Sequence, residues 1–170
     1  MTAKKTMLVA LLILMLPTIL LAQSDAAERV GFRGWGPRVG LTLDPDQIHF
    51  GGHLDFGNFA EHIRLQPNFE LGLGDNLLLA AVNLEGVYRF AANWDVWTPY
   101  AGGGLGINYY DWEDGPGRGF GGGSSTELGV NAVGGIEKGL SNGDRFFIEV
   151  KLGFADSPDF KATVGWTFFH

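Results

Sequence analysis

From Gln47 to Phe56 the chain changes character at every residue. Ile48, Phe50, Gly52, Leu54 and Phe56 fall on one face, and Gln47, His49, Gly51, His53 and Asp55 on the other. Successive side chains of a strand point to opposite sides, so this period of two predicts a β-strand with one apolar and one polar face. The same split recurs and predicts eight strands: Arg33–Leu43, Gln47–Phe56, His62–Leu73, Leu77–Phe90, Val96–Tyr109, Thr126–Glu137, Arg145–Phe154 and Phe160–Phe169. Their lengths match the ~9–11 residues that a tilted strand needs to cross a bilayer, with some overhang. The apolar set runs from Trp35, Val39 and Leu41 in the first strand to Val164, Trp166 and Phe168 in the last. No charge interrupts it over roughly 45 positions, where an ordinary surface would carry a quarter or more. A small soluble barrel could not bury so continuous a face. The pattern therefore predicts an all-β fold, an eight-stranded antiparallel up-and-down transmembrane β-barrel with lipid outside and a polar interior.

An even strand number places both ends of the barrel on one side. The connections alternate to match. Gly57–Glu61, Ala91–Asp95 and Leu140–Asp144 are short and are expected on the periplasmic side. The long one, Asp111–Ser125, is expected outside the cell. Trp35, Phe90, Trp97, Tyr109, Trp166 and Phe168 sit at strand ends, as an aromatic girdle would where lipid meets water. Pro67 and Pro99 each lack a ladder donor, which predicts a bulge or a local break in pairing.

The inward face carries Arg38, Asp55, Arg64, Glu70, Glu85, Arg89, Glu149, Lys151 and Lys161, with His49 and His53. A selective open pore would be lined mostly by one sign of charge. Mixed signs in an interior only wide enough for side chains predict a plug of ion pairs, built on Asp55, Arg64, Glu70, Glu85, Arg89, Glu149 and Lys151. A tight turn at Gly74-Asp75 would set Arg64 opposite Glu85 and Gln66 opposite Asn83. One of two allowed registers of the preceding hairpin sets Asp55 opposite Arg64 and His49 opposite Glu70, leaving Arg64 between two carboxylates. Gly102, Gly104 and Gly106 on the neighbouring inward face would leave room for long side chains.

The first residues read as an export signal. Lys4 and Lys5 precede an apolar run from Met7 to Leu16, continuing past Pro17 to Leu21, and Ala22 is small enough for a cleavage position. The expected organisation is a signal peptide over 1–22 and a barrel domain over 23–170, with cleavage after Ala26 as the alternative. The apolar run is shorter than the ~18–20 residues of a membrane-spanning helix. Cysteine is absent, which excludes disulfides, thiol nucleophiles, thiolate metal sites and a lipid anchor at the cleavage point. A net charge of −7 argues against nucleic acid as a partner.

Candidate chemistry is sparse, and no cofactor or metal is expected. The glycine runs Gly102–Gly106 and Gly115–Gly123 lack the strand–loop–helix setting and the terminal Lys-Ser/Thr of a phosphate loop. His49 and His53 share a face but stand ~13 Å apart along a strand, too far to bind one ion together. A site joining either to His62 is the remaining metal arrangement. The mature serines, Ser24, Ser124, Ser125, Ser141 and Ser157, lie outside the predicted strands, and none has a histidine two residues away. Asp111, Trp112, Glu113 and Asp114 open the long loop with three carboxylates beside an aromatic ring. They form a candidate surface contact, able to engage the divalent cations that bridge lipopolysaccharide; a solvated acidic loop is the plainer account.

Thr98-Pro99-Tyr100-Ala101-Gly102-Gly103-Gly104-Leu105-Gly106 and the closing Ala162-Thr163-Val164-Gly165-Trp166-Thr167-Phe168-Phe169 give the chain a family resemblance. It resembles the small outer-membrane β-barrel domains of the OmpA and OmpX type, although His170 ends the chain where an aromatic residue is usual. The resemblance implies a Gram-negative cell outer membrane location and insertion by the barrel-insertion machinery through the last strand. It also implies lipid bilayer and lipopolysaccharide as surroundings. The expected function is a monomeric, non-catalytic barrel with a structural or surface-interaction role and a charged, plugged interior. A lipid A-modifying enzyme of deacylase type and a narrow, porin-like channel for small solutes are the alternatives.

Overall fold

The computed structural model describes residues 30–92, 94–112, 123–155 and 157–170. The expected signal peptide, and Glu113 and Asp114 of the expected contact loop, lie outside them. The strands are β1 (Gly34–Leu43), β2 (Gln47–Asp55), β3 (Asn58–Ala60), β4 (Ile63–Gly74), β5 (Leu77–Arg89), β6 (Thr98–Trp112), β7 (Gly123–Gly139), β8 (Arg145–Ala155) and β9 (Phe160–Phe169). All pairings are antiparallel, each strand lies beside its successor except β2, which pairs with β4, and β1 closes on β9 from Gly34↔Phe169 to Leu43↔Phe160. The three-residue β3 continues β2 along the same edge of β4, so eight staves make a closed barrel.

The two faces have the predicted sense. Ile48, Leu105, Val82 and Leu128 point outward, Leu128 with 74% of its surface exposed. Arg38, Glu70, Glu85 and Glu149 point inward and are buried. The buried apolar cluster is small and lies in the lumen: Val87, Tyr100, Val133 and Phe147. Glycine makes space for its rings. A Cβ at Gly165 would run into the Phe147 ring, and one at Gly135 would lie 2.5 Å from Tyr100 Cζ.

Local chemistry sets the strand ends. In the β4–β5 hairpin Gly74 pairs with Leu77, and Asn76 takes the left-handed conformation at φ 57°, which asparagine tolerates well. Gly143 at φ 91° serves the β7–β8 turn, closed by Leu140 N–H donating to the Asp144 carbonyl at 2.8 Å. The two prolines sit where ladders stop. The β2–β4 ladder ends at His53↔Asn68, next to Pro67, and the β5–β6 ladder ends at Arg89↔Tyr100, next to Pro99. On the opposite side both stay paired, Pro67 with Leu84 and Pro99 with Ile136, so the expected local break in pairing is confined to one neighbour of each.

Several boundaries and registers depart from expectation. The turn expected over 57–61 contains β3. Val96, expected in a strand, lies in a tight turn closed by Trp94 and Trp97. Strands β6 and β7 run further than expected, so Asp111 and Trp112 pair with Leu78 and Leu77 instead of opening a loop. Over 123–127 the residues are small or polar on both faces, and the alternation that betrays a strand fades there. The β4–β5 turn is centred one residue later than Gly74-Asp75, which shifts every pair by two. Arg64 therefore faces Val87, Gln66 faces Glu85, and Asn68 faces Asn83. The β2–β4 register is also two residues from the expected one: His49 faces Gly72, and Glu70 faces Gly51. A shift of two keeps each side chain on its face and changes only its neighbours.

Candidate functional site: the charged lumen

The lumen is layered, and the layers follow from parity and register. At the centre lie Arg38 from β1, Glu70 from β4, Glu85 from β5, Glu149 and Lys151 from β8, and Lys161 from β9. Lys151 Nζ stands 2.7 Å from Glu85, 3.0 Å from Glu70 and 3.2 Å from Asn68 Oδ1. Lys161 Nζ lies 2.8 Å from Glu70, and Arg38 Nε lies 3.2 Å from the same carboxylate. A further Arg38 nitrogen pairs with Glu149. Three cations thus meet three carboxylates, none of the six more than 5% exposed. Groups buried this deeply carry charge only when each is paired.

Toward the end that carries the chain termini lies a second cluster. Arg64 Nη1 donates to Glu137 Oε2 at 2.8 Å, and Arg64 Nε stands 3.7 Å from Asp55. Arg89 Nε is 2.6 Å from the other Glu137 oxygen, and Arg145 pairs with Asp55. Tyr100 joins the two clusters: its hydroxyl donates to Glu149 at 2.9 Å, while the Arg64 guanidinium lies over its ring at 5.6 Å. Phe147 does similar work from β8, with Arg38 over its face at 5.7 Å and His53 edge-on at 5.1 Å.

Toward the loop end the lumen turns neutral. Asn83 donates to Asn68 at 3.0 Å and Asn131 to Asn83 at 3.4 Å. The β8–β9 connection folds in above them. Asn108 donates to Ser157 Oγ at 3.4 Å, Pro158 is buried, and both occupy space that side chains at Gly129 and Gly153 would fill.

The sequence-derived residues divide accordingly. Asp55, Arg64 and Arg89 belong to the terminus-side cluster, and Glu70, Glu85, Glu149 and Lys151 to the central one. Arg64 does lie between two carboxylates, but the second is Glu137, not Glu85; Glu85 pairs with Lys151. Glu137 and Arg145 were missed. Their signal was available: Glu137 shares parity with Asn131 and Val133, and Arg145 with Glu149 and Lys151, but each sits at the very end of its strand.

His49 and His53 bind no common group. His49 is held between Thr42 and Thr163 at 2.8 and 2.9 Å, and His53 bonds Thr167 at 2.8 Å. His62 is exposed on the β3–β4 turn beside Glu61, whereas His49 and His53 are buried in the lumen. Among the described residues, no group of three or more His, Asp or Glu could hold a metal ion.

Five of the six girdle residues cluster at the terminus end. Trp35 meets Phe168 with centroids 5.7 Å apart, and Trp166, Phe146 and Trp97 form a chain at 4.8 and 6.1 Å. Phe90 pairs with Tyr88 at 5.2 Å. Tyr109 sits at the opposite end, facing Ala80 and Thr126. Beyond the expected end of its strand, Lys138 is an outward cation, its Nζ 4.9 Å above the Trp97 ring.

By sequence, the chain matches no protein-family model and no curated protein. By structure it is similar to the N-terminal β-barrel domain of Pseudomonas aeruginosa OprF, with a TM-score of 0.67 at 12% identity, covering 82% of this chain and 98% of that one. It is also similar to Neisserial surface protein A, with a TM-score of 0.62 at 9% identity, covering 82% and 96%. Strand number, closure and the outward apolar face agree with these likenesses: the chain has the fold of the small eight-stranded outer-membrane β-barrels.

Proposed function

We propose that this chain is a non-catalytic integral protein of the cell outer membrane, a monomeric barrel whose interior is plugged and whose loop end meets the cell surface. The observation that supports it best is the central cluster, where three cations and three carboxylates interlock in the lumen with almost no solvent contact. Any passage for solute would have to part Lys151 from Glu70 and Glu85, leaving charges unpaired in a confined space. The β8–β9 connection, folded over the asparagine layer, adds a second obstruction. In planar bilayers the purified protein should give no stable ohmic conductance; regular single-channel steps would overturn the plugged reading.

Residues 1–22 would act as the export signal and the last strand as the insertion signal. Asp111 and Trp112 at the outer end of β6, with Glu113 and Asp114 following, form the proposed contact with lipopolysaccharide and its bridging cations. Catalysis has little support. Ser157 bonds an asparagine, while His49 and His53 bond threonines. Mass spectrometry of lipid A from cells with and without the protein should give identical acylation patterns. The proposed location is tested by fractionation, in which the protein should sediment with outer-membrane markers.

A further inference from the structure

The terminus-side mouth holds more positive charge than its carboxylates answer. A cavity of about 270 Å³ opens there, lined by Arg33, Asp55, Asn58, Arg64, Arg89 and Arg145, with Phe169 beside them. Asp55 and Glu137 are the carboxylates paired with the inner three arginines. Four guanidiniums against two carboxylates leave a local balance of 4 − 2 = +2. The donor count is just as uneven: four guanidiniums offer roughly twenty N–H groups, and two carboxylates supply about eight lone-pair sites. The central cluster, three against three, shows that the lumen can balance its charges where nothing has to enter. Arg64 and Arg145 are largely buried yet share the same two acids, and a third arginine, Arg89, joins them on Glu137. Cations confined together repel unless an anion lies between them.

Access and size agree with an occupant. The Arg89 side chain is 43% exposed, and Arg33 stands on the rim outside β1. The volume is several times the ~30 Å³ share of one water molecule. Fork-shaped guanidiniums bind tetrahedral oxyanions through paired N–H groups. We infer that the terminus-side mouth, between Arg33, Arg64, Arg89 and Arg145, is a binding site for a phosphate group. Two sources share that chemistry: free inorganic phosphate, and a phosphomonoester headgroup of a lipid at the barrel rim.

The test uses the full folded barrel in zwitterionic-detergent micelles, observed through the NMR signals of arginine side-chain N–H groups. Inorganic phosphate should shift the Arg89 and Arg145 signals saturably, while chloride at equal ionic strength should not. Arg33→Gln and Arg89→Gln should each weaken the response roughly tenfold, the scale of one lost charge-assisted hydrogen bond. Arg33 lies outside the strands, so its variant keeps the assay valid if Arg89→Gln folds poorly. A parallel titration with phosphatidic acid in the micelles separates the sources: a response to the lipid alone assigns the site to a headgroup. No shift with either phosphate source, or equal shifts in wild type and Arg33→Gln, would overturn the site. Neither result bears on conductance or lipid A chemistry, so the inference stands or falls apart from the proposed function.

Discussion

Glu137 shows how much one buried carboxylate can hold. Arg64, Arg89 and Arg145 all approach it, the first two at 2.8 and 2.6 Å. Replacing it by glutamine would leave Arg64 and Arg145 with Asp55 as their carboxylate and take away the one paired with Arg89. Glu137→Gln should therefore lower the unfolding free energy by about 3–5 kcal/mol. Urea unfolding in detergent micelles would measure this, with Glu61→Gln as the control. Glu61 lies on an exposed turn, its side chain 88% accessible, and its change should stay within about 0.5 kcal/mol. Equal losses at the two positions would mean that the terminus-side cluster does not hold the barrel together. Gly165 makes the complementary case, because it leaves space where Glu137 fills it. A methyl there collides with the Phe147 ring, so Gly165→Ala should cost about 1–3 kcal/mol through overpacking.

Between strands, the seam that closes the barrel depends on backbone approach. Gly36 lies where a side chain would strike the Trp166 carbonyl on β9, and that collision is with backbone, which cannot rotate aside. Gly36→Val should hinder the β1–β9 pairing and slow or prevent closure. Unheated gel migration reads this directly, since a closed barrel runs as a compact form and an open chain does not. Gly139, whose missing side chain has nothing within 4 Å, provides the control, and Gly139→Val should migrate as wild type. The prolines make the same point about pairing. Pro67 and Pro99 look disruptive by residue type, yet each interrupts pairing toward one neighbour only and stays paired with the other.

For the molecule as a whole, the decisive property is which medium bathes the apolar exterior. Trp35, Trp97 and Trp166 lie on it near the terminus end, within a band of ring-to-ring contacts. Aromatic rings favour the zone where headgroups meet hydrocarbon. In reconstituted vesicles, lipids brominated near the headgroup should quench the tryptophan fluorescence more than lipids brominated at the chain ends. Quenching by aqueous acrylamide at the level of free tryptophan would contradict a lipid-facing exterior. The two ends of the barrel also differ in charge. Asp44, Asp46, Asp75 and Asp159 lie in the connections at the loop end, whereas at the other end Arg33, Arg89, Lys138 and Arg145 stand among Glu61, Asp95 and Asp144 and the two signs are mixed. Within the girdle, Lys138 lays its ammonium over the Trp97 ring, as long cationic side chains do at such a belt.

Strand number, strand positions and the inside–outside sense of each side chain were legible in the sequence alone, because alternation is a local property of period two. Ile48 against His49, or Val150 against Lys151, shows its face without reference to any other strand. Partners were not legible in this way. A turn centred on Asp75-Asn76 rather than Gly74-Asp75 moved Arg64 from Glu85 to Val87 while leaving it inward. Its carboxylate partner, Glu137, comes from a strand 73 residues away, and across the lumen rather than along a ladder. The tertiary structure alone decided which charges meet, since meeting depends on register, tilt and closure, and these are set by every hairpin acting together.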